Sequence, residues 1–139
     1  WNGIKIIDDY AHHPVEIEAC LKAARDIQGQ GRVIAISQPH RYSRLSDLFE
    51  DFAQCYREAD IAVITPVFAA GEAPIEGVDH ASLVESMRGH GHKQAQVLTD
   101  LDALPAFIRE TAQPGDMVVC MGAGSISSHA NGLIEALEG

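Results

Sequence analysis

At 139 residues the chain has room for one domain of ordinary size. That length buries about two-thirds of the unfolded surface without a disulfide or metal staple. Lys and Arg number 10 against 20 Asp and Glu, a formal charge of −10, which disfavours nucleic-acid backbones and anionic membrane surfaces as partners. A composition of 46% hydrophobic and 22% charged residues also excludes a disordered chain.

In chain order, Ile4–Ile7 reads as a strand and Val15–Gln28 as an amphipathic helix, with Pro14 suited to its first position, where a missing N–H costs nothing. Val33–Ile36 predicts a second strand. Leu45–Glu58 predicts a helix whose Leu45, Leu48, Phe49, Phe52, Ala53 and Tyr56 keep the spacing of one buried stripe. Ile61–Ile64 and Ala81–Gly89 form the third strand–helix pair, Ala95–Leu98 and Leu101–Ala112 the fourth, and Met117–Cys120 and Ile126–Leu137 the last. Several strands are nearly continuously apolar, as strands buried on both faces are. Strict alternation of strand and helix predicts a single Rossmann-like α/β domain of three layers, with a mostly parallel sheet and helices on both faces.

Cys20, Cys55 and Cys120 are odd in number and share no short spacing, which points to buried thiols in a reducing compartment rather than a disulfide or CxxC site. The longest apolar stretch, Ile61–Ala70, is broken by Thr65-Pro66 and is too short to span a bilayer. No signal peptide opens the chain, and its first residue is Trp1 rather than Met, so a fragment of a longer protein is expected.

In open parallel sheets, ligands sit beyond the carboxyl ends of the strands. Here those ends carry Asp8–Pro14, Ser37–Arg44, Thr65–Glu72 and Gly122–Ser125. Arg41 and Arg44 are three apart at a helix entry and can point the same way. Two guanidinium forks beside a helix N-terminus suit a carboxylate or phosphate. The same run would equally serve as a solvated turn whose arginines pair with the many surface acids. In Asp8–Pro14, an Asp at the strand end can accept from a ribose hydroxyl or hold Mg²⁺ through water, and His12 can exchange hydrogen bonds with a substrate near neutral pH. The competing role is an ordered loop with exposed histidines, and adjacent His12 and His13 point in different directions rather than forming a metal pair.

Gly122-Ala123-Gly124-Ser125 lies between a strand and a helix, but Ser127 stands where a dinucleotide fingerprint has its third glycine. It reads better as a tight rim turn with Ser125 as helix cap. His90, His92 and Lys93 read as a solvated loop, with a metal site the sharper alternative. No GxxxxGK[ST] loop occurs in the chain.

Asp8-Asp9-Tyr10-Ala11-His12-His13-Pro14, Gln38-Pro39-His40-Arg41-Tyr42-Ser43-Arg44, Ala69-Ala70-Gly71-Glu72 and Gly122-Ala123-Gly124-Ser125-Ile126, in this order and spacing, resemble the C-terminal domain of the Mur ligases of bacterial peptidoglycan synthesis. The likeness covers essentially the whole chain. The Asp-Asp-Tyr and His-Pro parts are general to the family; Pro39–Arg44 is specific to the branch that joins L-alanine to UDP-N-acetylmuramate. The resemblance implies a cytoplasmic three-domain enzyme: an N-terminal domain for the UDP sugar, a central domain with the P-loop, and residues 1–139 as the domain that closes over both. It implies that ATP and Mg²⁺, bound mainly by the central domain, activate the muramyl carboxylate as an acyl phosphate that the amine attacks. Residue by residue, it implies Asp9 at the ATP ribose, and Tyr10, His12, His40, Arg41 and Arg44 at the amino acid and acyl end. Gly124 and Ser125 would edge the rim. It implies that no group of this chain reacts covalently and that none holds a metal. The alternatives are another Mur-type amino-acid ligase domain, a phospho-receiver opened by Asp8-Asp9, or an NAD-binding module. The receiver lacks its third Asp after Ile64 and its Lys after Cys120.

Overall fold

A computed structural model describes residues 1–138. β1 (Lys5–Asp9) leads into α1 (Pro14–Gln28), β2 (Val33–Ser37) into α2 (Tyr42–Asp47) and α3 (Phe49–Gln54), and β3 (Ile61–Ile64) into α4 (His80–Gly89). β4 (Ala95–Val97) precedes a 3-10 turn at Leu101–Ala103 and α5 (Leu104–Thr111), and β5 (Met117–Met121) precedes α6 (Ile126–Asn131) and α7 (Leu133–Glu138). The strands form one all-parallel sheet in the order β1-β5-β2-β3-β4. β2 and β5, flanked on both sides, are buried at every position, whereas the edge strands β1 and β4 are partly exposed.

Because successive strand side chains point to opposite faces, β2 sends Val33 and Ala35 into one core layer and Ile34 and Ile36 into the other. The first layer is closed by Ile17 and Leu21 of α1, Leu45 and Phe52 of α2 and α3, and Leu83 and Met87 of α4. The second is closed by Leu104 and Ile108 of α5, Ile126 of α6, and Leu133 and Leu137 of α7. Burying each such side chain is worth about 1.5–3 kcal/mol relative to leaving it in water. The three-layer α/β domain expected from the alternation is present, with a sheet that is parallel throughout.

Three of the expected helices are divided. Leu45–Glu58 is α2 and α3, which begin earlier and end sooner; the chain bends at Leu48 (φ −117°) while the apolar stripe continues across the break. In Leu101–Ala112, Pro105 sits in the first turn of α5, and a proline ring collides with the carbonyl four residues back, so the preceding turn tightens to 3-10. In Ile126–Leu137 the break falls at Gly132, the weakest helix former in that stretch.

Candidate functional site

With all strands parallel, the loops after β1, β2, β3 and β5 meet at one edge of the sheet. The loop after β3 is stitched to the loop after β2. Phe68 N–H donates to Pro39 O and Arg41 N–H donates to Phe68 O, both at 2.8 Å, so His40 and Phe68 form a parallel bridge. Their rings stack at 5.5 Å, the His12 ring meets His40 edge-on at 5.7 Å, and Tyr10, 70% exposed, meets His12 edge-on at 5.1 Å. Four aromatic rings from three loops thus make one ladder along the lip.

The hydrogen bonds assign the imidazole protons. A carbonyl only accepts, so the 3.0 Å contact of His12 Nδ1 with Tyr10 O puts the proton on Nδ1 and leaves Nε2 an acceptor. A guanidinium only donates, so His40 Nδ1, 3.5 Å from an Arg44 amine, is the acceptor and its Nε2 carries the proton. Partial burial first, then the charge of Arg44, the neighbouring His12 ring and the charge of Arg41, hold the His40 pKa below its ordinary value, with Glu72 opposing. His40 is therefore neutral near pH 7.

Arg41 and Arg44 line one shallow depression with His13, Ser43, Asp47 and Leu48. They are not splayed onto opposite surfaces. The ion pairs among the described residues use Arg25, Arg32 and three histidines, and neither Arg41 nor Arg44 takes part. Every other arginine is tied to a carbonyl, amide or carboxylate, while among the described residues the Arg41 guanidinium has no hydrogen bond and Arg44 only the long one to His40. The turn is solvent-exposed at Arg41 and Ser43, but the pairing with surface acids that the solvated-turn alternative supposes is not seen among the described residues. The expected helix end is not open, however. The carboxylate of Glu72 occupies it, taking the Ser43 N–H at 3.0 Å and the Ser43 hydroxyl at 2.6 Å. Those two bonds hold the Glu72 pKa below its ordinary value.

Asp8 and Asp9 face opposite layers, as strand alternation requires. The Asp8 carboxylate accepts from Ser127 Oγ at 2.8 Å beside α6. Asp9 Oδ1 accepts the Ala11 N–H at 2.9 Å, closing the turn into α1, and its charge lies near the half-buried Cys20 thiol, which burial and Asp9 push up to about 12. Half-buried and lacking an ion-pair partner, Asp9 keeps acceptor capacity at the rim. His13 caps α1: its ring accepts the Val15 N–H, and Glu16 returns bonds to the His12 and His13 amides, with Pro14 at the first helical position.

The glycine turn after β5 departs from expectation. Ser125 makes no capping bond of its own; the cap comes from Gln38, which is 4% exposed. Gln38 Oε1 accepts the Ile126 N–H at 3.1 Å and Nε2 donates to Ser125 Oγ at 3.0 Å. A Cβ at Gly124 would lie 2.5 Å from Phe68 Cγ, and one at Gly122 would lie 2.6 Å from Ile126 Cγ2. The glycines are therefore needed for protein packing. β5 sends its helix to one face and β2 to the other, so the crevice between them is the topological switch point, where doubly wound proteins bind dinucleotides. Here Gln38 and Phe68 pack directly against the glycine turn. Gln38 opens the Gln38–Arg44 motif, and no spacing rule links it to a helix 88 residues later.

Ser125 and His129 line a neighbouring crevice with Phe68, Asp100 and Asp102, where His129 Nε2 lies 3.3 Å from Asp102. At the opposite edge, the His90–Lys93 loop is anchored rather than free: His90 pairs with Glu50 at 3.0 Å and His92 meets Ala59 O at 3.0 Å. Cys55 and Cys120 are buried. No described helix is long and apolar enough to cross a membrane.

Fold and lip together define a doubly wound α/β domain that presents two unpaired guanidiniums and a histidine pair at its strand ends. Residues 1–124 match the Mur ligase, glutamate ligase domain, and the chain belongs to the Mur ligase family, as the motif resemblance implied. It is 57% identical over 141 residues to UDP-N-acetylmuramate–L-alanine ligase of Rhodospirillum centenum, a match spanning 99% of this chain and 29% of that protein. The structure aligns with UDP-N-acetylmuramate-alanine ligase of Thermotoga maritima at a TM-score of 0.77 and 26% identity, over 99% of this chain and 27% of that one. A murein peptide ligase of Psychrobacter arcticus shares the fold at a TM-score of 0.78 and 24% identity, over 98% of this chain and 28% of that one. The chain thus spans about three-tenths of the relatives it matches.

Proposed function

We propose that the chain is the C-terminal, amino-acid-binding domain of an ATP-dependent ligase that joins L-alanine to UDP-N-acetylmuramate through an acyl phosphate. The observation that carries it is the pair of unpaired arginines, Arg41 and Arg44, on one depression of a chain with twice as many acids as bases. The identity to relatives named for that reaction supports it. In this reading, Arg41 and Arg44 grip the carboxylate of alanine through planar N–H donors. The free Nε2 of His12 accepts from the amine and turns its lone pair towards the acyl carbon. His40 donates from Nε2, and Tyr10 covers the site from solvent. These groups position and screen charge; none becomes covalently bonded.

Asp9 would accept from the ATP ribose with the oxygen not used by Ala11, and Ser125, held by Gln38 with Gly124 behind it, would edge the same rim. When bound, ATP with Mg²⁺ supplies the phosphoryl group that activates the sugar carboxylate. No three His, Cys, Asp or Glu among the described residues are grouped to hold a metal, so the reading gives Mg²⁺ and the phosphates to a central domain outside this chain, and the UDP sugar to an N-terminal one. The setting is the bacterial cytoplasm.

In the full-length ligase, Arg41→Ala or Arg44→Ala is expected to raise KM for alanine about tenfold or more while leaving KM for ATP unchanged. Parental kinetics in both variants would overturn the anion-grip assignment. The isolated chain is expected to release no phosphate when given ATP, UDP-N-acetylmuramate and alanine together; release would overturn the division of labour.

A further inference from the structure

The two arginines stand on a turn that does not hold itself in place. Arg41 has φ +70° and ψ 136°, a backbone state that costs a non-glycine residue about 1–3 kcal/mol and persists only where its surroundings enforce it. Its side chain makes no bond that could do so. Arg41 is also the residue before the first turn of α2, and it offers that turn no side-chain cap.

The restraint comes from the loop after β3, at two points. Nearer β3, the Pro39–Phe68 and Phe68–Arg41 hydrogen bonds fix the residue entering the turn. Further on, Ala70 (φ 51°) and Gly71 (φ 87°) reverse the chain, Glu72 N–H returns to Ala69 O, and the Glu72 side chain reaches Ser43 across 29 residues of sequence. It takes both polar groups Ser43 can donate, the amide and the hydroxyl. Arg41 and Arg44 lie two residues before and one after Ser43. Holding Ser43 therefore fixes the exit from the strained residue and the start of the helical turn that aims Arg44. Glu72 also fills the amide end of α2 with its own negative charge, so an incoming carboxylate is directed onto the guanidiniums.

We propose that Glu72 is a positioning residue for amino-acid binding, acting through Ser43 on the Arg41–Arg44 pair. This rests on the reading of that pair given above, and the kinetics of the full-length ligase separate the two. Glu72→Ala is expected to raise KM for alanine about tenfold, with kcat and KM for ATP within about twofold of the parent. Ser43→Ala, which removes only the hydroxyl contact, should move KM for alanine in the same direction by less. Where the Ala variant fails to fold, Glu72→Gln, which keeps the shape but loses the charge, takes its place. The deciding measurement adds Glu72→Ala to a variant carrying both Arg41→Ala and Arg44→Ala. If Glu72 acts through the arginines, its loss adds less than about twofold in that background. A full multiplicative effect there, or kcat and KM for ATP falling together with alanine binding, would show a merely structural role and overturn the proposal. So would an unchanged KM in Glu72→Ala while Arg41→Ala raises it, an outcome that leaves the anion grip standing. Unchanged kinetics in the arginine variants themselves would remove both.

Discussion

The two ends of the sheet use arginine in opposite ways. At the end where strands begin, Arg32 donates to both oxygens of Asp116, at 3.1 and 2.6 Å, and to Thr111 O, while Arg25 joins Asp60, Gly31 O and Glu58 O. Asp60 in turn takes the Val33 N–H and Asp116 the Gln113 N–H, so each carboxylate also ends a backbone segment. At the end where strands finish, Arg41 and Arg44 have no carboxylate partner among the described residues, although Asp47 and Glu72 are close by. A paired arginine is a structural tie, and at Arg32 its removal strands a buried acid. An unpaired one held at a strained turn contributes little to the fold and is available to a ligand. The lesson is to judge an arginine by what it leaves unsatisfied.

The sharpest break of this contrast is Arg32→Ala against Arg41→Ala. The Asp116 side chain is 6% exposed, so losing Arg32 leaves a buried carboxylate with only the Gln113 amide. The expected cost is about 2–3 kcal/mol, discounted from fully buried pairs because Arg32 itself reaches solvent. Arg41→Ala should change stability by less than about 0.5 kcal/mol while changing alanine binding. Denaturant melts of both variants check the pair, and equal destabilisation would erase the distinction between the two ends.

Next in size is Gln38→Leu, which tests whether the lip rests on a rigid base. It removes the bonds to Ile126 N–H and Ser125 Oγ from a buried position, at about 2 kcal/mol, with little direct effect on a carboxylate ligand. A variant as stable as the parent in the same melts would mean that the Gln38 cap does not hold the start of α6.

The five strands, the parallel sheet and the rim loops were legible because burial on both faces and strict alternation leave a local signature. The Arg41–Arg44 spacing was legible for the same reason, being a short-range pattern at a predicted helix entry. What was missed is long-range. Neither the Gln38 cap on α6 nor the Glu72 hold on Ser43 leaves any periodicity, since each partner lies in a different loop. Both residues do stand inside motifs quoted for the resemblance, so the motifs marked the place without revealing the role. The opposed directions of Asp8 and Asp9 could have been read from strand alternation. The break at Leu48 could not, because the apolar stripe runs through it.

Acid should loosen the two ends in different windows. Burial works to raise the Asp116 pKa, but the Arg32 bond, the Gln113 amide and the Arg32 charge outweigh it and hold the group below its ordinary 3.8. Its stability contribution is complete above that value and is lost as pH falls through the lower folded one. His40 is also depressed, so the folded lip takes up its proton less readily than the unfolded chain does. Its contribution is complete above about 6.5 and fades as pH drops through the depressed value. Hydrogen exchange across the pH range should show α2 and the loop after β3 losing protection below pH 6.5, well before the start of β2 and β5. His40→Gln should remove the early phase and Asp116→Asn the late one. A single common transition would contradict the separation.

The smallest effect isolates the strain at the lip. Arg41→Gly and Arg41→Ala delete the same guanidinium, so their difference reports only the backbone. Alanine keeps the penalty of φ +70°, whereas glycine, without a Cβ, visits that region freely. Glycine also gains freedom in the unfolded chain, which works against it by up to about 1 kcal/mol. If the loop after β3 enforces the observed conformation at full cost, Arg41→Gly should still exceed Arg41→Ala by about 1 kcal/mol in denaturant melts. The gap should shrink when Glu72→Ala is added, because the turn can then relax and alanine no longer needs to sit at positive φ. Identical stability of the two substitutions with Glu72 present would mean that the turn carries no enforced strain, and that the arginines are poised without the help of the neighbouring loop.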